Sequence, residues 1–228
     1  MFGLEITKEI LTPFVGTLLV LISAGVVWFL KLAYEKHKVE VLALSKFERI
    51  FANNITILKD NFDFLDEWIS ILKQNRSYSV HFRSYYINEK ETYKLSNLNL
   101  INRILSINHK LRGTSFDFDN IYKSYWDVIF RIDSIQDKEK REESLKIYHN
   151  TIQSRLEQIK QNYKPLKNDL IDVVALVRAV YKVRCHSLFG YISLIFFIDI
   201  FPRVTKKSIE KEVIILKDNI ERKEKGMK

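Results

Sequence analysis

Hydrophobic residues in the first third of the chain follow two different patterns. From Ile10 to Leu30 they form the run "ILTPFVGTLLVLISAGVVWFL", 21 residues without a charged side chain. At about 1.5 Å per residue, a helix of this length covers roughly 30 Å, the thickness of the hydrocarbon core of a bilayer. A cleaved signal peptide has a shorter apolar region after a positively charged start, whereas Glu5, Lys8 and Glu9 precede this run. The run therefore predicts an uncleaved transmembrane anchor at residues 1–34.

After the anchor, the apolar residues recur with the period of an amphipathic helix. They cover about a third of the helix circumference. These residues are Leu44, Phe51, Leu58, Leu65 and Leu72, with Phe47, Ile55, Phe62 and Ile69 between them. The pattern predicts that the membrane helix continues as a stalk to Leu72, with a break near Asn53-Asn54 as an alternative. So long a helix needs partner helices, from the same chain or from another copy of it.

The rest of the chain predicts several shorter helices. An irregular segment follows the stalk, and the expected helices are 98–111, 117–132, 145–163 and a long one from about 167 to 201, before a short amphipathic helix in the tail. Gly113 and Pro165 mark two predicted boundaries, because glycine is a poor helix former and proline disfavours helix in the preceding residue. No repeat or second domain is evident, so residues 35–228 are expected to form one helical domain.

Composition indicates an all-α chain. The 228 residues include only six Gly and three Pro, which favours long helices with few tight turns. The single cysteine, Cys185, excludes an internal disulfide and a cysteine-based zinc site, so the body suits a reducing cytoplasm. The predicted fold is an N-terminal transmembrane helix that continues into a cytoplasmic helical bundle.

The net charge of +9 fits two kinds of partner. A basic chain binds nucleic acid or lies next to anionic lipid, and charge alone leaves direct nucleic-acid binding open. Lys31, Lys36 and Lys38 follow the apolar run, whereas one lysine precedes it. The positive-inside rule then predicts a bacterial inner-membrane protein with its N-terminus outside and its body in the cytoplasm.

A second apolar segment lies at residues 188–204. Its uncharged part is shorter than the roughly 20 residues of an ordinary span, and the basic tail after it, with nine Lys or Arg against five Asp or Glu from Arg203 onward, resists translocation. The segment is therefore a bundle helix, a half-helix or hairpin inserted in the membrane, or a second span. Its candidate membrane residues are Leu188, Tyr191, Ile195, Phe197, Asp199 and Phe201. The candidate lipid-facing basic residues are Lys31, Lys36, Lys38, Arg203, Lys206 and Lys207.

The sequence contains no phosphate-binding loop, HExxH motif, Cys/His cluster or nucleophile elbow. No metal, cofactor or catalytic residue is therefore indicated, and a non-enzymatic function is expected. One short pattern is an alternative. In "RILSINH", Arg103 and His109 resemble the Arg and His spacing of HEPN ribonucleases, which implies an acid-base histidine and an arginine that stabilises phosphate charge.

The layout as a whole combines an N-terminal anchor, a continuous stalk and a basic helical body with a second apolar segment. In outline it resembles the small membrane-spanning effectors of bacterial antiphage systems, such as those encoded beside retrons or with RNA-targeting CRISPR nucleases. The resemblance implies a homo-oligomeric effector that acts on the lipid bilayer and permeabilises it. Two other functions remain open: an anchored HEPN-like ribonuclease, and an anchored scaffold for a cytoplasmic protein or nucleoprotein.

Overall fold

The computed structural model describes residues 8–78 and 82–186, and ten tail positions between 207 and 222. Regular structure in these ranges is helical. There are three long helices, α1 (Lys8–Lys73), α2 (Leu98–Asp133) and α3 (Lys138–His186). The connection between α1 and α2 contains a short 3-10 helix (Glu89–Lys94). The prediction of an all-α fold is confirmed.

The stalk is continuous with the anchor. α1 contains 66 residues, which corresponds to about 100 Å at 1.5 Å per residue. Asn53 and Asn54 lie inside this helix, so the alternative of a break there was wrong. Pro13 is also inside the helix, near its beginning. The prediction that the N-terminal apolar helix continues to Leu72 is confirmed.

Two predicted helix boundaries were wrong. α2 runs through Gly113 and α3 runs through Pro165, so four predicted helices form two. A glycine inside a helix costs about 1 kcal/mol and a proline about 3 kcal/mol. Burial nearby offsets these costs, since Leu111 and Phe118 lie on either side of Gly113, and Leu166 follows Pro165, all with at most 3% exposure.

Ion pairs define the direction of the helices. Arg178 contacts Glu48 at 2.6 Å, and Lys160 contacts Asp66. From the first pair to the second, the residue number rises by 18 on α1 and falls by 18 on α3, so the two helices are antiparallel. Lys110 pairs with Asp169 and Tyr163 donates to Asp117, so α2 and α3 are antiparallel as well. α1 and α2 are therefore parallel.

Two parallel helices need a connection that returns along the bundle. Residues 82–97, here called the strap, make this return and pack against both α1 and α2. The ring of Phe82 stacks on Phe118 of α2 with centroids 4.3 Å apart, and faces Trp68 of α1 at 6.1 Å. Within the irregular segment predicted after the stalk, the strap is thus packed against both helices.

Two groups of buried residues form the core. The base cluster lies where the strap ends and α2 begins, and the tip cluster lies at the opposite end of the bundle. The base cluster includes Leu44, Phe47, Phe51, Leu58, Leu100, Ile104, Leu111, Leu170, Val174 and Val177. The tip cluster includes Leu65, Trp68, Leu72, Phe118, Tyr125, Ile129, Ile152 and Leu156. Each cluster draws on all three long helices, so the bundle is one packed unit.

Candidate functional site

The most distinctive surface is the first part of α1. Side chains from Phe14 to Leu32 are exposed all round the helix, including Leu21 at 65% and Trp28 at 66%. This part contains the one described helix that is long and apolar enough to cross a membrane, and none of its apolar window is buried against the rest of the chain. A helix that is hydrophobic on every side is normally buried, either in a protein core or in lipid. Here the described chain offers no such core.

The same helix has a different surface further along. Leu44, Phe51 and Leu58 are fully buried, while the polar residues Lys46, Arg49 and Asn53 between them are exposed. Burying a large apolar side chain is worth roughly 1.5–3 kcal/mol. The bundle makes this gain from Leu44 onward, whereas the described residues provide no such burial for residues 13–32. The first part of α1 therefore requires another apolar partner or a bilayer.

Basic side chains lie directly after the apolar part. Lys31, Lys36 and Lys38 are all exposed on α1, and Trp28 and Tyr34 are exposed next to them. Aromatic and cationic residues are common where a membrane helix leaves the hydrocarbon. The described residues 31–39 thus have the composition that is typical of a membrane–water interface, between a transmembrane segment and a domain.

The other residues predicted to contact the membrane fall mostly outside the described chain. Among the predicted basic residues of the tail, Lys207 is described, helical and exposed. The residues outside the description are Leu188, Tyr191, Ile195, Phe197, Asp199, Phe201, Arg203 and Lys206.

A buried carboxylate closes the base of the bundle. Glu40, at 2% exposure, accepts hydrogen bonds through Oε1 from the backbone N of Ser96 at 2.9 Å and from its Oγ at 2.6 Å. Hydrogen bonds to a charged group are about twice as strong as neutral ones. Glu40 therefore ties the end of the strap to α1 at the point where α1 enters the bundle.

Two buried asparagines hold the middle of the strap. Asn54 donates to the carbonyl of Tyr86 at 2.7 Å and accepts from its N–H at 2.9 Å. Asn61, one heptad later, makes the same pair of bonds with Arg83 at 3.0 and 2.8 Å. Both side chains are fully buried. Each side-chain amide satisfies one backbone N–H and one carbonyl of the strap, as a neighbouring strand would do in a sheet. These bonds attach the strap to α1.

The tip cluster contains a buried histidine among aromatic rings. His149 of α3 is fully buried, its Nε2 lies 3.4 Å from the hydroxyl of Tyr125, and its Nδ1 has no hydrogen-bond partner. Burial lowers the pKa of His149 and raises the pKa of Tyr125; it also raises the pKa of Tyr148 to about 12. At neutral pH the group is therefore uncharged, with no general base in contact with solvent.

The structure places the ribonuclease candidates Arg103 and His109 on α2, where both are exposed. Six residues of helix rotate a side chain by about 600°, which leaves the two about 120° apart around the axis. Arg103 lines a cleft of about 130 Å³ with Lys110, Asp169 and Asp172, and His109 does not line it. One chain does not bring the two residues together. The ribonuclease alternative would therefore need Arg103 and His109 to meet across two copies of the chain, and it stays a prediction.

Most polar groups of this cleft already have partners. Lys110 pairs with Asp169, and Lys217 of the tail pairs with Asp172. Within the described residues no group of three or more His, Cys, Asp or Glu could hold a metal ion. The arrangement supports ion pairing between helices and offers no nucleophile with an adjacent base.

Sequence reasoning missed Glu40, Asn54, Asn61 and His149. The asparagines carried a usable signal, since they occupy polar positions seven residues apart next to an otherwise apolar stripe. A buried polar residue at such a position commonly fixes one particular neighbour. His149 gave no such signal, because a single histidine in a polar helix resembles a surface residue.

Comparisons with known proteins add no relative: no protein family, curated protein or solved structure matches the chain.

Proposed function

We propose that the protein is a membrane-anchored helical effector of the bacterial inner membrane, which assembles into homo-oligomers and perturbs the bilayer. The observation that carries this proposal is the unburied apolar part of α1, which continues without a break into a packed bundle. Its immediate partner is then lipid. The bundle lies in the cytoplasm, since Lys31, Lys36 and Lys38 follow the span and positive residues favour that side.

Continuity of α1 supports a mechanical link between bundle and bilayer. A change in the packing of the base cluster moves the anchor directly, because no loop or turn separates the two parts of α1. Gly16 and Gly25 have nothing within 4 Å of where a Cβ would lie. Small residues let membrane helices approach closely, which suits assembly with further copies of the chain.

The proposed biological setting is antiphage defence, which follows from the resemblance in layout. In such a system a cytoplasmic trigger acts on the bundle, and the anchor converts this event into membrane damage. The proposal needs no metal or cofactor. It needs several copies and a partner that acts on the bundle.

Leakage from vesicles tests this proposal. The purified protein, reconstituted into anionic lipid vesicles that contain a self-quenched dye, is expected to release the dye and to depolarise bacteria when expressed. A matched variant, Leu21→Arg, should lose both effects while Leu42→Arg, which alters an exposed leucine outside the span, should keep them. Membrane-inserted protein that releases no dye would contradict the proposal. Ile195→Lys measures the contribution of the second apolar segment.

A scaffold function is the second candidate, favoured by apolar side chains on the outer face of α2. Leu98, Phe116 and Phe130 are each at least 65% exposed and lie within about 40° of one another around the helix. Apolar side chains on one surface often mark a protein contact. Substituting Phe116 and Phe130 by Asn should abolish partner recruitment and leave dye release intact if the two functions are separate.

A further inference from the structure

The tail after α3 contacts the bundle again. Lys217 forms an ion pair with Asp172 of α3, and Arg222 pairs with Asp218 at 2.9 Å within the tail. The described tail positions are helical. Val213 and Lys217, four residues apart on one face, are half-buried, whereas Ile214, Asp218 and Arg222 are exposed. The tail helix therefore lies with one face toward the bundle, next to the cleft between α2 and α3.

The end of α3 lies at the base of the bundle. In the register defined by the pair between Arg178 and Glu48, His186 is level with about Glu40 on α1. Glu40 is also where the strap ends, through its bonds to Ser96. The part of α1 between Glu40 and Leu30, where the apolar run ends, is about 15 Å long. α3 thus ends close to the membrane, on the side of the bundle.

We propose that the chain returns to the bundle after α3, so that the tail and the bundle lie on the same side of the membrane and residues 187–206 do not form a second crossing. This inference rests on the proposed anchoring by α1. It selects among the alternatives for the second apolar segment, and it gives the protein one span and a tail that shares the bundle's compartment.

Chain length supports the inference. A single crossing would place Lys217 on the opposite side from its partner Asp172. Two crossings would require about 60 Å for the hydrocarbon core and roughly 30 Å more for the distance between the base and the lipid. The 20 residues from 187 to 206 reach at most about 70 Å when fully extended. The segment is therefore too short for two crossings.

Cysteine labelling tests the topology in the full-length protein. In a Cys185→Ser background, single cysteines are introduced by Glu210→Cys in the tail, Asn150→Cys near the tip and Gly3→Cys before the span. Intact spheroplasts and lysed cells are treated with a membrane-impermeant maleimide. We expect the Gly3→Cys protein to be labelled already in intact spheroplasts, and the tail and tip cysteines to be labelled only after lysis. Labelling of the tail together with Gly3 would overturn the inference.

The same experiment separates this inference from the proposed anchoring. If all three cysteines are labelled alike, α1 does not span the membrane, and the proposed function fails together with the inference. If Gly3 and Asn150 differ while Glu210 follows Gly3, the anchoring stands and only the inference fails.

The ion pair is tested independently by charge reversal. Lys217→Asp should increase the rate of tail proteolysis in the purified protein by about two- to fivefold, the range expected for an exposed ion pair. The double variant Lys217→Asp with Asp172→Lys should restore the original rate. Lys211→Asp, at an exposed tail position, makes the same charge change and should have no effect. Equal rates in all four proteins would overturn the docking of the tail.

Discussion

Residues 13–32 and 43–72 belong to one helix but have surfaces of different kinds. Leu21 is 65% exposed and the residues around it are uncharged, whereas Leu44 is fully buried and the exposed residues of 43–72 are all polar. The second region gains its stability from α2, α3 and the strap. The first region has no equivalent partner in the described chain. The comparison supports the proposal that one continuous helix passes from lipid into water, with Lys31, Lys36 and Lys38 near the boundary.

Charge in the first region should have the largest effect. Each Arg at the centre of a membrane helix costs about 2.5–3.5 kcal/mol of insertion, so the double variant Leu18→Arg, Leu21→Arg should move the protein from the membrane to the soluble fraction. Alkaline extraction of membranes measures this. Leu42→Arg is the control, because Leu42 is 55% exposed on the same helix outside the apolar run. An unchanged membrane fraction for the double variant would contradict a span at this place.

The second region should be sensitive to loss of the strap contacts. Asn54→Ala or Asn61→Ala leaves a buried N–H and carbonyl of the strap unpaired, which costs about 1–3 kcal/mol for each group. We expect a lower free energy of unfolding in detergent, with the span unaffected. Asn53→Ala, at an exposed position beside Asn54, should change stability little. Hydrogen exchange at the backbone N–H groups of Tyr86 and Arg83 gives a direct readout. Unchanged protection in the Asn54→Ala and Asn61→Ala proteins would show that these two side chains are not needed to hold the strap.

Acid should weaken the tip of the bundle by a smaller amount. Burial lowers the pKa of His149 in the folded protein, so the unfolded chain binds more protons once the pH falls below about 6.5, the ordinary histidine value. Stability is therefore full above that pH and is lost as the pH falls toward the lowered pKa. Melting temperature measured against pH should show this loss, and His149→Phe should reduce it. His109→Gln, at an exposed position, is the control. If His149→Phe and His109→Gln gave the same dependence of melting temperature on pH, His149 would not be the cause of the acid sensitivity.

Gly113→Ala should give the smallest change and an increase in stability. A Cβ there would lie 3.6 Å from the hydroxyl of Tyr163, an ordinary contact. Alanine in a helix interior is favoured over glycine by about 0.5–1 kcal/mol, so the free energy of unfolding should rise by that amount. Gly25→Ala, in the first region, should leave the stability of the bundle unchanged. A destabilised Gly113→Ala protein would mean that α2 and α3 require closer approach there.

The sequence predicted those features that depend on local patterns. The length of the apolar run and the heptad spacing of Leu44, Phe51 and Leu58 were enough to predict a continuous α1. Gly113 and Pro165 were misread as helix ends, because their intrinsic cost is local whereas the burial that offsets it comes from other helices.

The polar contacts were not predictable in the same way. Asn54 and Asn61 contact backbone atoms more than 20 residues away, and no pattern near them specifies those partners. His149 becomes part of the tip cluster only when α3 packs against Trp68 and Tyr125. The candidate membrane surface, in contrast, could be proposed from the sequence, because it depends on composition alone.

Labelling of Leu21 and Leu42 tests the central claim most directly. Both side chains are more than half exposed in the structure, so the single chain in water gives no reason for them to react differently. In a Cys185→Ser background, Leu21→Cys and Leu42→Cys would be treated in native membranes with a water-soluble maleimide, then again after unfolding in denaturing detergent. We predict that Leu42→Cys reacts in both states and that Leu21→Cys reacts only after unfolding. Equal reaction of the two cysteines in native membranes would contradict a membrane span in α1.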